Sequence, residues 1–490
     1  MATISSLGTG SGLDLSGMLT KLMAVEQLPV TQLQTKEATY TAKLTAVGTL
    51  KSATAAFQTA SDALAASTLF QGNTATSSNT SVISATASTA AKTGTYNLNV
   101  LANAQAQTLA SATFASMTDP LNGTSASQLK ISLGTYDSSG NTFTANTAKD
   151  PVTVDIPANA SLSDIRDAIN NSNAGVTASI ISVGSAGYKL SLTSNATGAS
   201  NSIKLTTMDS SGNVTNDNTG LAQLSFDPTA ATGSGKEFTV GIAAQDAHLQ
   251  LNGIDLYRSS NTVSDAITGV TLTLGSTTGS STLTVAQDTS SISTAITNFV
   301  KAYNDLNTQI QSSTSYDQTT NTAAALTGDA TTRTLQSSLR SLLSTSVNTG
   351  VTGISTLSDI GVAFQKDGSL TFDASKLTTA LNTSSSAVQA LFSAKTSSTS
   401  TVEGVATKLS SALTDMLGDS GLFAAKTDGL NATIKQLKDQ QDELTRRLSQ
   451  VEANYRAQFT ALDTTIAQMQ STSSYLTQQL ASMSSSSSSK

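Results

Sequence analysis

The chain contains no cysteine and no tryptophan, one histidine and only five prolines in 490 residues. Without cysteine there is no disulfide, no thiol nucleophile and no Cys-ligated zinc. A lone histidine, His248, excludes any site that needs two imidazoles. Aromatics make up 4% of the residues and charged groups 12%, so a core must be built from Ala, Val, Leu and Ile. The net charge is −7 and no basic stripe is visible, which argues against nucleic acid as a partner. No run of about 18 apolar residues occurs, so no membrane insertion is expected. The N-terminus lacks a basic region, apolar core and small-residue cleavage site in succession. Any export is therefore expected to use a route that reads an uncleaved N-terminus. What remains is a chain rich in Ser, Thr, Ala, Asn and Gly, with room for about three or four domains.

The candidate chemistry is thin. The stretch "GTGSGLDLSGMLTKLM" has three glycines in its first five residues, Gly8, Gly10 and Gly12. A phosphate loop needs a preceding strand and a following Lys-Ser/Thr, and neither is present. The glycines read instead as a flexible leader, with Asp14 as the N-cap of a helix. His248 could anchor a Ser-His-Asp triad, but it sits in the alternating strand "QDAHLQLNGIDL" without a nucleophile elbow. Glycoside hydrolysis needs only two carboxylates, yet there is no Trp to stack on a sugar. "DSSGN" occurs at Asp137–Asn141 and again at Asp209–Asn213. It lacks the alternating ligands and distal Glu of a calcium loop and reads as a turn. No catalytic residue, metal site or cofactor is expected; the chain reads as an interaction protein.

Helical spacing dominates both ends. Leu15, Met18, Leu19, Leu22 and Met23 fall on one face, and Leu33, Tyr40, Leu44, Val47, Leu50, Phe57 and Leu64 follow at sevens, threes and fours. Pro29 ends one helix and starts the next. Near the C-terminus Leu430, Ile434, Leu437, Leu444, Leu448, Val451 and Tyr455 hold an a/d repeat. After a phase shift near Phe459, Leu462, Ile466, Met469, Leu476, Leu480 and Met483 continue it. Lys438–Asp442, Asp442–Arg446, Glu443–Arg447 and Glu452–Arg456 are spaced to pair at i,i+4, and Gln441 and Gln458 occupy seam positions. A helix this long needs a long partner, and the N-terminal helix is the only comparable one. A self-associating C-terminal coil is the alternative, because periodicity specifies a seam and not its partner. The expected contact residues of this stalk are Leu15, Leu19, Leu22, Leu33, Tyr40, Leu44, Val47, Leu437, Leu444, Leu448, Val451, Tyr455, Leu462, Ile466 and Met469.

The middle alternates with period two. Tyr96, Leu98 and Val100 read as a strand. Val270, Leu272 and Leu274 with Leu283 and Val285 read as a β-hairpin. Helices are expected from Ile292 to Ile310 and at Ala330–Leu343, and "GVAFQKDGSLTFD" reads as a hairpin turning at Lys366–Ser369. The fold class is multidomain α+β, with long terminal helices forming a coiled-coil stalk and antiparallel β-rich domains inserted between them. The expected division is a leg (1–40 with 425–490), a helical bundle (41–72 with 290–424), a β-rich domain (73–114 with 241–289) and an inserted β-rich domain (115–240). The tail "SSSSSSK", 484–490, reads as disordered.

Five stretches, in this order along the chain, resemble the flagellar filament cap family, hook-associated protein 2. They are "GSGLDLSGMLTKLMAVEQLPVTQLQ" (10–34), "GYKLSLTSNATGASNSIKL" (187–205, similar to a short repeat shared with flagellins), "LNGIDLYRSSNTVSDAITGVTLTL" (251–274) with "FVKAYNDLN" (299–307), "LSDIGVAFQKDGSLTFDASKL" (357–377), and the terminal coil ending "YLTQQLASM" (475–483). They cover roughly half the chain; 115–186 and 206–240 match nothing sharply. The resemblance implies a structural cap at the distal filament tip, secreted through the flagellar type III route. It implies a homo-oligomeric ring of about five subunits that promotes flagellin insertion. Implied partners are flagellin, hook-filament junction proteins and a cytoplasmic export chaperone on the C-terminal helix. The competing readings are another axial component, flagellin or a junction protein, and an adhesin binding host glycans through the β domains.

Overall fold

The computed structural model describes residues 12–395 and 402–487. Its contacts divide into two compact units, one made by the two ends of the chain and one by residues 71–288. The glycine leader, Gly12 apart, lies outside the described residues.

The chain starts with α1 (Leu15–Glu26) and α2 (Leu28–Ala65). Asp14 caps α1, its Oδ1 accepting from the Gly17 N–H at 2.8 Å. Pro29 sits in the first turn of α2, where its missing N–H has no helical partner to lose. Eight of the 38 residues of α2 are threonine, a poor helix former. Its hydroxyls turn back instead: Thr35 donates to the Thr31 carbonyl and Thr39 to that of Thr35, each at 2.9 Å.

The second unit is mostly strands. In chain order they are β1 (Asn73–Ser77), β2 (Ile83–Ala87), β3 (Gly94–Ala102), β4 (Thr108–Ala110), β5 (Ser127–Asp137), β6 (Thr142–Ala145) and β7 (Val152–Ile156). Helix α3 (Leu162–Asn171) follows, then β8 (Val176–Ser182), β9 (Tyr188–Ser194), β10 (Ser202–Asp209), β11 (Thr239–Ile242) and β12 (Ala247–Leu251). β13 (Ile254–Arg258), β14 (Thr262–Ile267), β15 (Val270–Leu274) and β16 (Gly279–Gln287) complete it. The sheet β1-β16-β3-β12-β13 and the sheet β14-β15-β2 share a core of Leu98, Val100, Leu249, Leu272, Leu283 and Val285. The sheet β11-β4-β9-β8, the sheet β10-β5-β6 with β7 on β5, and α3 enclose another, around Leu109, Ile131, Ile165, Leu192 and Phe226. Both "DSSGN" stretches are turns. Asp137 accepts from the Ser139 N–H and Asp209 from those of Ser211 and Asn213.

The expected hairpin of Val270–Leu274 with Leu283–Val285 does not form. β15 pairs with β14 and β2, whereas β16 pairs with β1 and β3 in another sheet. The reason is local. A two-residue link with Gly269 at φ +77° joins β14 to β15, and this tight turn takes the neighbour position that β16 would need.

Back in the first unit come α4 (Thr289–Thr314), β17 (Tyr316–Asp317), β18 (Thr322–Ala323), α5 (Ala330–Leu343), β19 (Val362–Phe364), β20 (Leu370–Phe372), α6 (Ala374–Ser393), α7 (Val405–Leu417) and α8 (Leu422–Ser487). The core packs Phe57 against Phe299 and Tyr303, with ring centroids 5.1 and 5.6 Å apart. β19 and β20 form the hairpin read at Lys366–Ser369. The β17–β18 hairpin lies between the two helices expected at Ile292–Ile310 and Ala330–Leu343; its turn repeats the Asp-x-x-x-Asn pattern, with Asn321 at φ +50°. α8 runs four residues into the serine tail, so that tail is not wholly irregular.

Three asparagines take the place of missing strand neighbours. Asn170 on α3 accepts from the Ala178 N–H and donates to its carbonyl, at 2.8 and 2.9 Å. Asn304 on α4 does the same for Leu370 at 2.7 and 2.8 Å. Asn261 does so for Ala104 at 2.7 and 3.0 Å. Each carboxamide satisfies a backbone donor and acceptor that would otherwise face solvent or an apolar neighbour.

Candidate functional site

Among the described residues no group of three or more His, Cys, Asp or Glu side chains could hold a metal ion. No helix there is long and apolar enough to cross a membrane. His248 faces Asp255, with Nε2 and Oδ1 2.7 Å apart, and its ring stacks on Tyr257 at 4.3 Å. The bond from His248, then that from Gln250, holds the Asp255 carboxyl below the usual range. The arrangement is a cross-strand pair on the β12–β13 hairpin.

The distinctive construction is the pairing of the chain's two ends. α8 has 66 residues, a rod of about 100 Å at 1.5 Å per residue. Gln441 Nε2 donates to Glu37 Oε2 at 2.9 Å, and Lys438 Nζ lies 3.5 Å from Glu37 Oε1. Further along, Leu19, Met23 and Leu448 form an apolar cluster flanked by Val30, Val451, Tyr455 and Phe459. Positions on α2 fall as those on α8 rise, so the helices are antiparallel. A shallow groove between them is lined by Met23, Val30, Gln34, Thr445 and Leu448.

Of the expected contact residues, Leu15, Leu19, Val47, Leu437 and Leu448 are buried. Leu33, Tyr40, Leu44, Leu444, Val451, Tyr455 and Ile466 are half-buried, and Leu22, Leu462 and Met469 are exposed. Val47 belongs to the large helical core with Leu50 and Phe57 rather than to the small apolar cluster of the coil. Sequence reasoning missed Glu37, Val30 and Phe459 as parts of the pairing. Glu37 could have been suspected, since Gln441 in a seam needs a partner. Of the expected i,i+4 ion pairs, Glu452–Arg456 closes at 2.8 Å. Lys438 does not reach Asp442; it crosses to Glu37, because a carboxylate over the seam offers a less exposed partner. Arg446 Nε lies 3.4 Å from the Asp442 carbonyl rather than its carboxylate.

Two family models cover this architecture: Flagellar hook-associated protein 2 N-terminus over residues 11–107 and C-terminus over 244–471. The chain belongs to the flagellar hook-associated protein 2 family. Flagellar hook-associated protein 2 of Escherichia coli K12 is 42% identical over 98% of both chains. That of Salmonella typhimurium is 35% identical over 99% of both. The crystal structure of the flagellar cap protein FliD D1-D2-D3 domains from Escherichia coli is 41% identical, covers 79% of this chain and 99% of its own, and superposes with a TM-score of 0.59. A third model, the Flagellin hook IN motif, matches 142–196. It overlaps the flagellin-like stretch expected at 187–205 and corrects, for 142–186, the expectation that 115–186 match nothing sharply. The chain is thus a structural component of the bacterial flagellum, exported and located at the distal filament tip as its cap. These findings support the cap over the adhesin and the other axial components. The family is one of oligomeric cap proteins associated with flagellin and the filament.

Proposed function

We propose that the paired ends form the leg through which the cap holds flagellin subunits, and that this contact, without any catalytic step, retains monomers and promotes their insertion. The observation that carries this reading is the antiparallel pairing of α1 and α2 with α8 around Leu19, Met23, Leu448 and Val451. It makes an elongated rod with an apolar seam, suited to packing against other helices. The four separate apolar clusters support a division into leg, helical bundle and two β-rich domains close to that expected from sequence. On this reading about five copies make the ring. A cytoplasmic chaperone covers part of α8 before export, and hook-filament junction proteins are met before the first flagellin is added.

The test replaces Leu444, Leu448 and Val451 together with Asp in the full chain. Cells carrying the variant should release flagellin monomers into the medium and form short filaments, while residues 71–288 keep their resistance to proteolysis. Filaments of normal length would overturn the assignment of the leg.

A further inference from the structure

α1 is apolar on two flanks. One, through Leu19 and Met23, packs on the chain's own α8. The other, Met18, Leu22 and Val25, lies roughly a third of a turn away at 100° per residue and is 52%, 40% and 65% exposed. A helix that is apolar on two flanks is shaped to sit between two neighbours, and only one is supplied in this chain among the described residues.

α8 has the complementary excess. The antiparallel register set by Glu37 and Gln441 brings Leu15, the start of α1, opposite roughly residue 463. From Leu462, after the phase shift near Phe459, the apolar repeat resumes: Leu462, Met469, Leu476 and Leu480 are 45%, 66%, 55% and 65% exposed. Beyond the stretch covered from Leu437 to Phe459 the apolar positions of α8 are therefore mostly exposed, with Ile466 half-buried. Leu462, Ile466 and Met469 step by four and three, as do Met18, Leu22 and Val25, the spacing by which knobs meet holes.

We propose that the distal third of α8 in one copy docks on the Met18–Leu22–Val25 flank of α1 in a second copy. The inference rests on the reading that the chain assembles with itself as a cap. Charge favours a second copy: from 460 to 483 the only charged residue is Asp463, and α1 carries one Lys and one Glu. Copies therefore approach without repulsion, and a strongly charged partner gains nothing there. Each copy gives one surface and receives the other, so the contact is head-to-tail, the type that closes into a ring when the rotation between copies completes a full turn.

The absence of cysteine makes the test clean. Full-length Met18→Cys and Met469→Cys chains, carrying different tags, are mixed, allowed to assemble and oxidised. The expected product is a disulfide joining the two tags, in preference to either same-tag dimer. Dimers of Met469→Cys with itself would show that α8 ends pair with one another and overturn the proposal. So would assembled particles with no bond between tags, or a chain that stays monomeric at every concentration. In a second arm, Leu476→Asp with Leu480→Asp should abolish assembly in light scattering, with the thermal unfolding of the helical unit unchanged. Assembly that survives this pair also overturns the contact. Flagellin capping without the mixed bond removes this contact and leaves the cap function standing. The mixed bond without capping removes the proposed leg function instead.

Discussion

Replacing Leu448 with Ala should release α1 from α8 without unfolding the rest of the helical unit. Leu448 is buried at 8% exposure, yet its cluster is small: Leu19 and Met23 are the other buried members, with half-buried Val30, Val451, Tyr455 and Phe459 at the edge. Large-to-small changes of this kind cost about 2–5 kcal/mol. The groove beside Leu448 lets water enter rather than leaving a sealed void, so the lower end, about 2–3 kcal/mol, applies here. At 1.4 kcal/mol per decade this raises the open population of α1 by about 30- to 150-fold. The effect is local because α1 has only 12 residues. A helix that short is marginal in water without tertiary support. Hydrogen exchange by mass spectrometry reads the outcome. Peptides spanning Leu15–Glu26 should lose protection by that factor, and peptides from α4 and α5, whose core is separate, should not change. Unchanged exchange in α1 would refute the energetic role given to Leu448. A parallel loss in α4 and α5 would refute the claim that the leg opens on its own.

Three further outcomes follow from single side chains. Burial alone would raise the Asp329 carboxyl. The bond from Lys426 and the Thr332 N–H outweigh it and hold it below the usual carboxylate range. Its contribution is therefore present above the unfolded carboxylate pKa and is lost as pH falls through the lowered folded value. Asp329→Asn should flatten the acid side of the thermal-stability profile of the helical unit and leave the alkaline side unchanged in shape; an unaltered acid limb would count against it. Asn304→Ala leaves the Leu370 N–H and C=O without their carboxamide, a loss of about 1–3 kcal/mol readable as a shift in urea midpoint, whereas a neutral result would mean water replaces the side chain. Gly198→Ala places a Cβ 2.4 Å from that of Ser259 on a backbone with φ +104°, so the 71–288 unit should lose about 2–4 kcal/mol in denaturant titration.

Elements whose signal is local were legible in the sequence. α5 was read to its terminal residues because Asp329, its N-cap, and the Leu335, Leu339, Leu343 spacing are all contained within one short stretch. The β19–β20 hairpin was legible because Lys366–Ser369 carries its own turn residues. The a/d repeat of α8 announced a seam and, by its length, a long partner. What stayed hidden depends on distant pairing. Alternation marks β15 and β16 as strands but is silent about which neighbours they take, and adjacency in the chain misled. The asparagine clamps at Ala104, Ala178 and Leu370 were invisible for the same reason, since a carboxamide becomes a strand surrogate only when a bare edge arrives beside it. In the leg, most apolar residues were legible, Val30 and Phe459 excepted, and the polar partner was not. Glu37 looks like a solvent-facing residue of a polar helix until Gln441 and Lys438 converge on it.

The low charge of this chain and the distal part of its leg have a common physical basis. Seam partners are commonly selected by rows of opposite charges flanking the apolar stripe. Here Glu37 with Lys438 is the ion pair across the two terminal helices among the described residues, and it is 3.5 Å long with the lysine largely in solvent. Exposed pairs of that kind contribute little. Specificity must then come from the apolar spacing itself and from the Gln441–Glu37 bond, which a slipped register would leave unmade. The threonines complete the arrangement. By returning their hydroxyls to carbonyls four residues back, as Thr460, Thr464 and Thr465 do on α8, they keep polar atoms satisfied within their own helix. Beyond Arg456, where Asp463 is the only charged residue up to Met483, α8 presents a surface that is polar enough for water and short of groups that demand a charged partner. That surface can be covered by another neutral helix at small desolvation cost, which is what a seam that begins inside one chain and continues beyond it requires.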